Sequence, residues 1–259
     1  PHLLSMLAEH RISVANLPTA FWHVLVADLA EAPRPVPLPE SLRLVIVGGE
    51  RVSGEALARW RAMYPGLRWL NGYGPTEAAV TATLYDAEAP AFDGGEVPIG
   101  GPVAHVMTQI RAPDGSLAPE GVAGELWLSG PALALGYLGQ PAETEAAFVT
   151  APEGHRVYRT GDRVAWRADG ALAYLGRVDR QIKLRGYRIE LQAIEAALEA
   201  DPAVLLAVVG IDRPGSDTAR LLAWVRFTGP ADSEAVAALG KRLGAVLPGY
   251  MVPQIVPVA

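Results

Sequence analysis

The stretch Asn71-Gly72-Tyr73-Gly74-Pro75-Thr76-Glu77 decides how this 259-residue chain is read. It follows a short apolar segment, Leu67 to Leu70. Two glycines and a proline predict a tight, irregular loop. Into that loop the chain puts an aromatic ring, a hydroxyl and a carboxylate. The Tyr73 ring can stack on a purine. The Thr76 hydroxyl, with backbone N–H groups freed in the loop (Asn71, Gly72 and Gly74 among its residues), can hold phosphate oxygens. Glu77 can hold Mg²⁺, a hard cation that takes oxygen ligands and usually bridges to substrate phosphates. The needs of a bound Mg·ATP therefore meet in one loop. The alternative is a surface turn with an incidental glutamate.

Composition narrows the classes. Half of the residues are hydrophobic and 19% are charged, as in an ordinary globular protein. A net charge of −6 and the lack of a Lys/Arg cluster argue against a nucleic-acid binder. With no cysteine, disulfides, thiol nucleophiles and thiolate metal sites are excluded. No apolar run reaches about 18 residues, so no membrane span is predicted and a cytoplasmic location is expected. The five histidines (His2, His10, His23, His105, His155) lack metal-like spacing. Pro1-His2-Leu3-Leu4 has no leader pattern, and Ile255 to Ala259 stops in an apolar run. Both ends read as a chain entered and left partway through.

Working outward from the loop, residues 1–78 read as an α/β unit. Leu3 to Glu9 predicts a short helix, Arg11 to Asn16 a short strand, and Leu17-Pro18-Thr19 a break. Phe21 to Leu29 is apolar enough for a packed helix, and Glu31 to Pro39, with its prolines, for an exposed connector. Leu42 to Val47 has the length and β-branched content of a buried strand. Gly48-Gly49-Glu50 follows at once. Ligands in open α/β sheets sit beyond the carboxyl ends of strands, so Gly48 and Glu50 are site candidates beside the plain reading of a glycine turn. Ser53 caps a predicted helix with Leu57, Trp60 and Tyr64 on one face, ended by Pro65-Gly66.

Residues 79–178 change character. Strand-like pieces alternate with turns at Ala91 to Gly95, Pro98 to Pro102, Pro113-Asp114-Gly115 and Asp169-Gly170. That spacing predicts a small, mostly antiparallel barrel or distorted sheet. Gly124 to Gly130 and Gly136-Tyr137-Leu138 are given a structural role. Glu143 and Glu145 read as solvated charges at a helix start. In Tyr158-Arg159-Thr160-Gly161-Asp162, the Asp162 carboxylate is suited to two ribose hydroxyls, or to a turn's N–H groups. In Tyr174-Leu175-Gly176-Arg177-Val178-Asp179, the fixed fork of Arg177 suits ribose or phosphate.

Residues 179–259 predict a compact α+β unit. Gln181 to Glu190 alternates polar and apolar residues around Gly186, a hairpin tipped by glycine. A helix over Leu191 to Ala200, strands over Val204 to Ile211 and Leu221 to Phe227, and a helix from Ser233 to Leu247 follow.

Five ordered strings carry a family resemblance. They are the central loop, Tyr158 to Asp162, Gly176 to Asp179, Gln181 to Glu190, and Leu247-Pro248-Gly249-Tyr250-Met251-Val252-Pro253. The chain resembles the adenylate-forming superfamily, in particular the adenylation domains of nonribosomal peptide synthetases. Arg163 departs from that pattern, which has leucine there. The resemblance implies ATP-dependent activation of an amino acid carboxylate as an acyl adenylate. Transfer to the phosphopantetheine thiol of a peptidyl carrier protein follows, beside neighbouring domains such as a condensation domain. It implies that Tyr73 faces adenine, that Thr76 and Glu77 serve phosphates and Mg²⁺, and that Asp162 binds ribose. Tyr174 and Arg177 line the nucleotide, Asp179 is the hinge of a mobile C-terminal subdomain, and the Gly186 hairpin guides the thiol. The side-chain pocket maps to Asn16, Ile46, Gly48, Gly72, Val80 and Thr81, suited to a small or medium polar, threonine-like side chain.

The family's phosphate loop and amino-anchoring aspartate are expected before residue 1, and its catalytic lysine after residue 259. Lys241, in a predicted helix, lacks that lysine's context. Adenylation by this stretch alone is therefore expected to be very slow. The competing readings are an acyl- or aryl-CoA ligase of the same superfamily and a truncated, non-catalytic module that binds a carrier or nucleotide.

Overall fold

The computed structural model describes residues 2–87, 95–213 and 219–258. Its contacts divide the chain between Asp179 and Arg180 into two compact units.

In the first unit, strand and helix alternate: α1 (His2–Glu9), β1 (Val14–Pro18), α2 (Thr19–Glu31), β2 (Leu44–Gly48), α3 (Gly54–Met63) and β3 (Arg68–Tyr73). The first three strands pair in parallel, Asn16 against Ile46 and Gly48 against Gly72. The face carrying Ala15, Val45, Val47 and Trp69 is buried with Trp22 and Val26 of α2 and Leu57 and Trp60 of α3. The three indoles pack with centroids 5.4–5.9 Å apart. Ser53 caps α3 by accepting from the Ala56 N–H, and Tyr64 closes it.

Three expectations shift here. Arg11 takes a left-handed φ of 49° after α1, so the first strand starts at Val14. Leu17 and Pro18 do not break that strand; they finish it. The strand lies at the sheet edge, where proline's missing N–H is harmless. The connector after α2 is not wholly exposed, because Val36 and Leu38 pack on the core.

The first sheet also continues past residue 78. β4 (Thr83–Asp86) returns antiparallel to β3, and β5 (Gly101–Pro102) pairs with β4. The α/β sheet therefore runs to Pro102, which corrects the division expected after residue 78 and puts the Pro98 to Pro102 segment partly in a strand. Gly100 permits that closure: at φ +79°, a Cβ there would lie 1.9 Å from the Leu84 carbonyl oxygen. Residues 91–94 of the turn expected at Ala91 to Gly95 lie outside the described residues.

The second sheet is antiparallel, as expected. It holds β6 (Met107–Arg111), β7 (Gly124–Ser129), β8 (Phe148–Thr150), β9 (Arg156–Trp166) and β10 (Leu172–Arg177), with α4 (Pro141–Ala147) before β8. The order is β10-β9-β7-β6, and β8 pairs with β9. Its core is Val106, Ile110, Leu126, Leu128, Val164 and Leu172, joined by Tyr73, Ala78 and Ala82 from the end of the first sheet.

The second unit opens with the hairpin β11 (Ile182–Leu184) and β12 (Tyr187–Ile189). Arg185 and Gly186 both have positive φ, 52° and 81°, the signature of a type I′ turn. Then come α5 (Leu191–Glu199), β13 (Val204–Asp212), β14 (Arg220–Phe227), α6 (Ser233–Val246) and β15 (Gln254–Val258). Ile194 and Leu198 of α5 and Leu239 and Leu243 of α6 pack on Val209, Ala223 and Val225. The strand β15 is a finding. It lies parallel to β14 at the sheet edge, which tolerates Pro257.

Candidate functional site

The open face of the first sheet is made by strand alternation. Asn16, Ile46, Gly48 and Gly72 occupy matched positions on neighbouring strands, so they share the face opposite the indole core. Gly48 is there for space. A Cβ would come within 2.5 Å of the Gly72 carbonyl oxygen. The hydrogen side of Gly72 faces Ile46, Leu84 and Thr81, whose carbons lie 3.7–3.9 Å from where a Cβ would sit. Ile46, Gly72 and Thr81 are therefore brought together, with Gly48 and the exposed Asn16 along the same face. Val80 is 69% exposed and, like Ala79, takes a left-handed backbone, φ 72° and 55°. A β-branched residue there is strained. Gly74 admits the strained turn, since a Cβ would lie 2.5 Å from the Val80 carbonyl oxygen.

The Gly48-Gly49-Glu50 turn is fixed by a residue that no sequence motif singles out. Thr19, buried at the start of α2, donates its hydroxyl to the carbonyls of Gly48 at 3.0 Å and Glu50 at 3.2 Å. Gly49 takes φ +97° between them.

The central stretch is only half a loop. Asn71, Gly72 and Tyr73 belong to β3, where their backbone groups pair with β2 and β4 instead of being freed for phosphate. The Asn71 amide nitrogen donates to the Pro98 carbonyl at 2.8 Å, so that side chain braces the fold. The irregular part is Gly74-Pro75, followed by a single 3₁₀ turn, Thr76–Ala78. Thr76 is exposed and Glu77 is buried.

A second carboxylate anchors the other half of the site. Thr160-Gly161-Asp162 lies inside β9 as a bulge, with Gly161 at φ +69°, and not in a turn. The bulge is held by β7: Thr160 donates to the Leu126 carbonyl, and the Gly161 N–H donates to Glu125. Asp162, 3% exposed, accepts from the Tyr73 phenol at 2.5 Å, the Arg177 guanidinium at 2.7 Å and, weakly, the Tyr174 phenol at 3.4 Å. Arg177 turns its remaining edge to Asp179, making two contacts of 2.6 Å. Burial, then the Asp162 charge, pushes the Tyr73 phenol well above its ordinary range. Burial and Asp162 also push Tyr174 up to about 12, against a smaller opposing pull from Arg177. Both phenols therefore stay protonated, as donors. Tyr73 is 6% exposed, so Tyr174, half-buried, offers the more open ring of the pair.

Glu77 meets a partner from outside the central stretch. The Tyr137 phenol donates to its Oε1 at 2.6 Å. The Gly136-Tyr137-Leu138 string, expected to be structural, therefore reaches the site.

Among the described residues, no group of three or more His, Cys, Asp or Glu side chains could hold a metal. The described residues thus offer no cage of such side chains. A single carboxylate, completed by phosphate oxygens and water, fits the way Mg²⁺ is usually held.

In the second unit, Gly186 tips its hairpin with no atom within 4 Å of where a Cβ would sit. The hairpin's Tyr187 stacks on Tyr250, with centroids 4.0 Å apart and planes at 9°. Lys241 lies on α6.

The family model described as AMP-binding enzyme matches residues 1–138. A linear gramicidin synthase chain of Brevibacillus parabrevis is 40% identical over 257 residues, covering 98% of this chain and 3% of the relative. The isonitrile lipopeptide synthase of Streptomyces coeruleorubidus is 40% identical over 260 residues, 99% of this chain and 17% of the relative. A solved structure described as an NRPS protein containing adenylation and PCP domains superposes with a TM-score of 0.82 at 29% identity. It covers 99% of this chain and 50% of that one. This chain thus spans a small part of its curated relatives and half of that solved chain.

Proposed function

This chain belongs to the AMP-binding enzyme family, and from that premise we propose that it serves ATP-dependent activation of an amino acid carboxylate in nonribosomal peptide synthesis. The observation that carries the proposal is the pairing of two buried carboxylates with a glycine-lined open face. Asp162 sits among two phenols and a guanidinium. Glu77 follows Gly74-Pro75 closely, Gly48 lets β2 approach the Gly72 carbonyl, and Gly72 leaves the space beside Ile46, Leu84 and Thr81 unfilled.

Each group then has a task. Asp162 takes the ribose hydroxyls, exchanging its bonds to the tyrosines for bonds to the nucleotide. Tyr174 and Tyr73 border the base. Arg177 steers the ribose or the α-phosphate. The Thr76 hydroxyl and the N–H groups around Gly74 hold phosphate oxygens, and Glu77 holds Mg²⁺. The metal, when bound, neutralises phosphate charge. The substrate side chain lies among Asn16, Ile46, Gly48, Gly72, Val80 and Thr81, behind the Gly48–Glu50 turn. The substrate carboxylate attacks the α-phosphorus, the bond to pyrophosphate breaks, and an acyl adenylate remains. Positioning and charge do most of this work. The thiol of a carrier protein's phosphopantetheine then takes the acyl group and AMP leaves. Asp179 is the hinge of that second step, and the Gly186 hairpin guides the thiol. The relatives' descriptions support this reading: a gramicidin synthase, a lipopeptide synthase, and an NRPS protein with adenylation and PCP domains.

The test is substrate-dependent ATP–pyrophosphate exchange by the full-length protein across amino, hydroxy and aryl acids. Exchange with one amino acid, threonine-like by the pocket's character, is the expected result. Exchange with aryl or fatty acids only, with free CoA as acceptor, would replace the proposal with a CoA ligase. No exchange with any acid would leave a binding module.

A further inference from the structure

The loop between β7 and α4 has a task of its own, which rests on the reading of Glu77 as the Mg²⁺ carboxylate. It touches the Thr76–Ala78 turn twice. The Ala134 N–H donates to the Glu77 carbonyl at 2.8 Å, and the Tyr137 phenol donates to the Glu77 side chain at 2.6 Å. We infer that Tyr137 is a positioning residue for Mg²⁺, acting through Glu77 by fixing the plane in which that carboxylate meets the cation.

The loop is anchored for the purpose. Arg156 donates to the carbonyls of Ala134 and Leu135, at 2.8 and 2.9 Å. The Tyr137 N–H donates to the Thr144 hydroxyl at 2.9 Å, and that hydroxyl donates to the Gln140 carbonyl. Gly136 makes the approach possible, since a Cβ there would sit 2.5 Å from the Thr144 methyl. The ring of Tyr137 meets the Phe148 ring edge-on at 5.8 Å. Its two ends are thus fixed, one by α4 and one by Glu77.

A glutamate carboxylate turns easily about its last torsion. Mg²⁺ demands near-ideal octahedral geometry and gives up water reluctantly. A donor that holds one oxygen removes that rotation before the cation arrives. Losing such an outer partner typically costs 10–100-fold in metal affinity or activity.

The experiment is Tyr137→Phe in the full-length protein, which removes one oxygen and keeps the ring. Pyrophosphate exchange is followed against free Mg²⁺ at saturating ATP. The half-saturating Mg²⁺ should rise about tenfold, while the thermal midpoint stays within a few degrees. In a Glu77→Gln background, Tyr137→Phe should add no further shift. An unchanged Mg²⁺ requirement, or an equal shift in both backgrounds, would overturn the inference. Mn²⁺ binding in the presence of ATP, read by electron paramagnetic resonance on the same variants, separates the two readings. If the parent shows no exchange with any acid, the activity is wrong. Mn²⁺·ATP binding weakened by Tyr137→Phe alone would still uphold the positioning role, and binding equal to the parent's would end it.

Discussion

Gly161 and Gly186 both hold a left-handed backbone, φ +69° and +81°, but for different reasons. A Cβ on Gly161 would lie 2.5 Å from the Arg177 guanidinium and 2.7 Å from the Asp179 carboxylate. On Gly186 it would meet nothing within 4 Å. The first glycine makes room for an ion-pair chain, Asp162–Arg177–Asp179, packed over the bulge of β9. The second supplies the φ that a two-residue hairpin demands. The nucleotide side of the proposed site is thus an interlocked set of side chains. The hairpin that the proposal gives to the thiol is defined by backbone geometry.

The largest expected difference comes from the ion-pair chain itself. Arg177→Met keeps much of the side chain's length and removes the charge. It leaves the buried Asp162 with two phenols and no cation, and breaking a buried pair in this way typically costs about 3–5 kcal/mol. Denaturant unfolding of the first unit should lose stability on that scale, and nucleotide binding should fall with it. Arg185→Ala, at the hairpin tip, should change stability by less than about 0.5 kcal/mol, as surface changes usually do. Similar losses from both would erase the distinction.

A finer test exchanges the glycines. Gly186→Ala should cost about 1–2 kcal/mol, the ordinary penalty of a left-handed alanine, and Gly186→Asn less. Gly161→Ala carries the same penalty and also displaces the Arg177–Asp179 pair, so it should cost more and weaken nucleotide binding too. Guanidinium melts of both variants decide the order. If Gly186→Ala proves the costlier, the hairpin is packed in a way the open surroundings of its Cβ position do not reveal.

Much of this is legible in the sequence, for physical reasons that can be named. The period of Leu191, Ile194 and Leu198 marks α5, and Ser53 marks the start of α3. The alternation about Gly186 marks the hairpin and its turn. Long-range pairing is less visible. Nothing local tells Thr83 to Asp86 to pair back on β3, so a sequence reading cuts the first sheet short at residue 78. Prolines hide the C-terminal end of β1 and all of β15, because a proline reads as a break unless the strand is known to be an edge. At the site, the motifs name Glu77, Asp162 and Arg177. What no motif tells is which side chains meet: Tyr73, itself named by the central stretch, is 89 residues from Asp162, and Tyr137 is 60 from Glu77. Thr19, 29 residues from Gly48, escapes for the same reason.

The smallest effect expected is a titration. Tyr174 shares Asp162 with Arg177, and burial with the Asp162 charge pushes its phenol up to about 12, from an ordinary value near 10. The folded pKa lies above the unfolded one, so the protonated phenol stabilises the fold. That contribution is complete below about pH 10 and is lost as the pH rises to about 12. Absorbance of tyrosinate near 295 nm should show a phenol titrating near 12 in the parent that is missing in Tyr174→Phe, distinct from the Tyr73 and Tyr137 phenols, which are also held above their ordinary range. The stability difference between parent and variant should shrink across the same interval. Arg177→Met should raise that phenol further, since the guanidinium favours its ionisation. A Tyr174 that titrates near 10 would mean that Asp162 and its donors are open to water, and the contrast between a locked shelf and an open hairpin would fail where it begins.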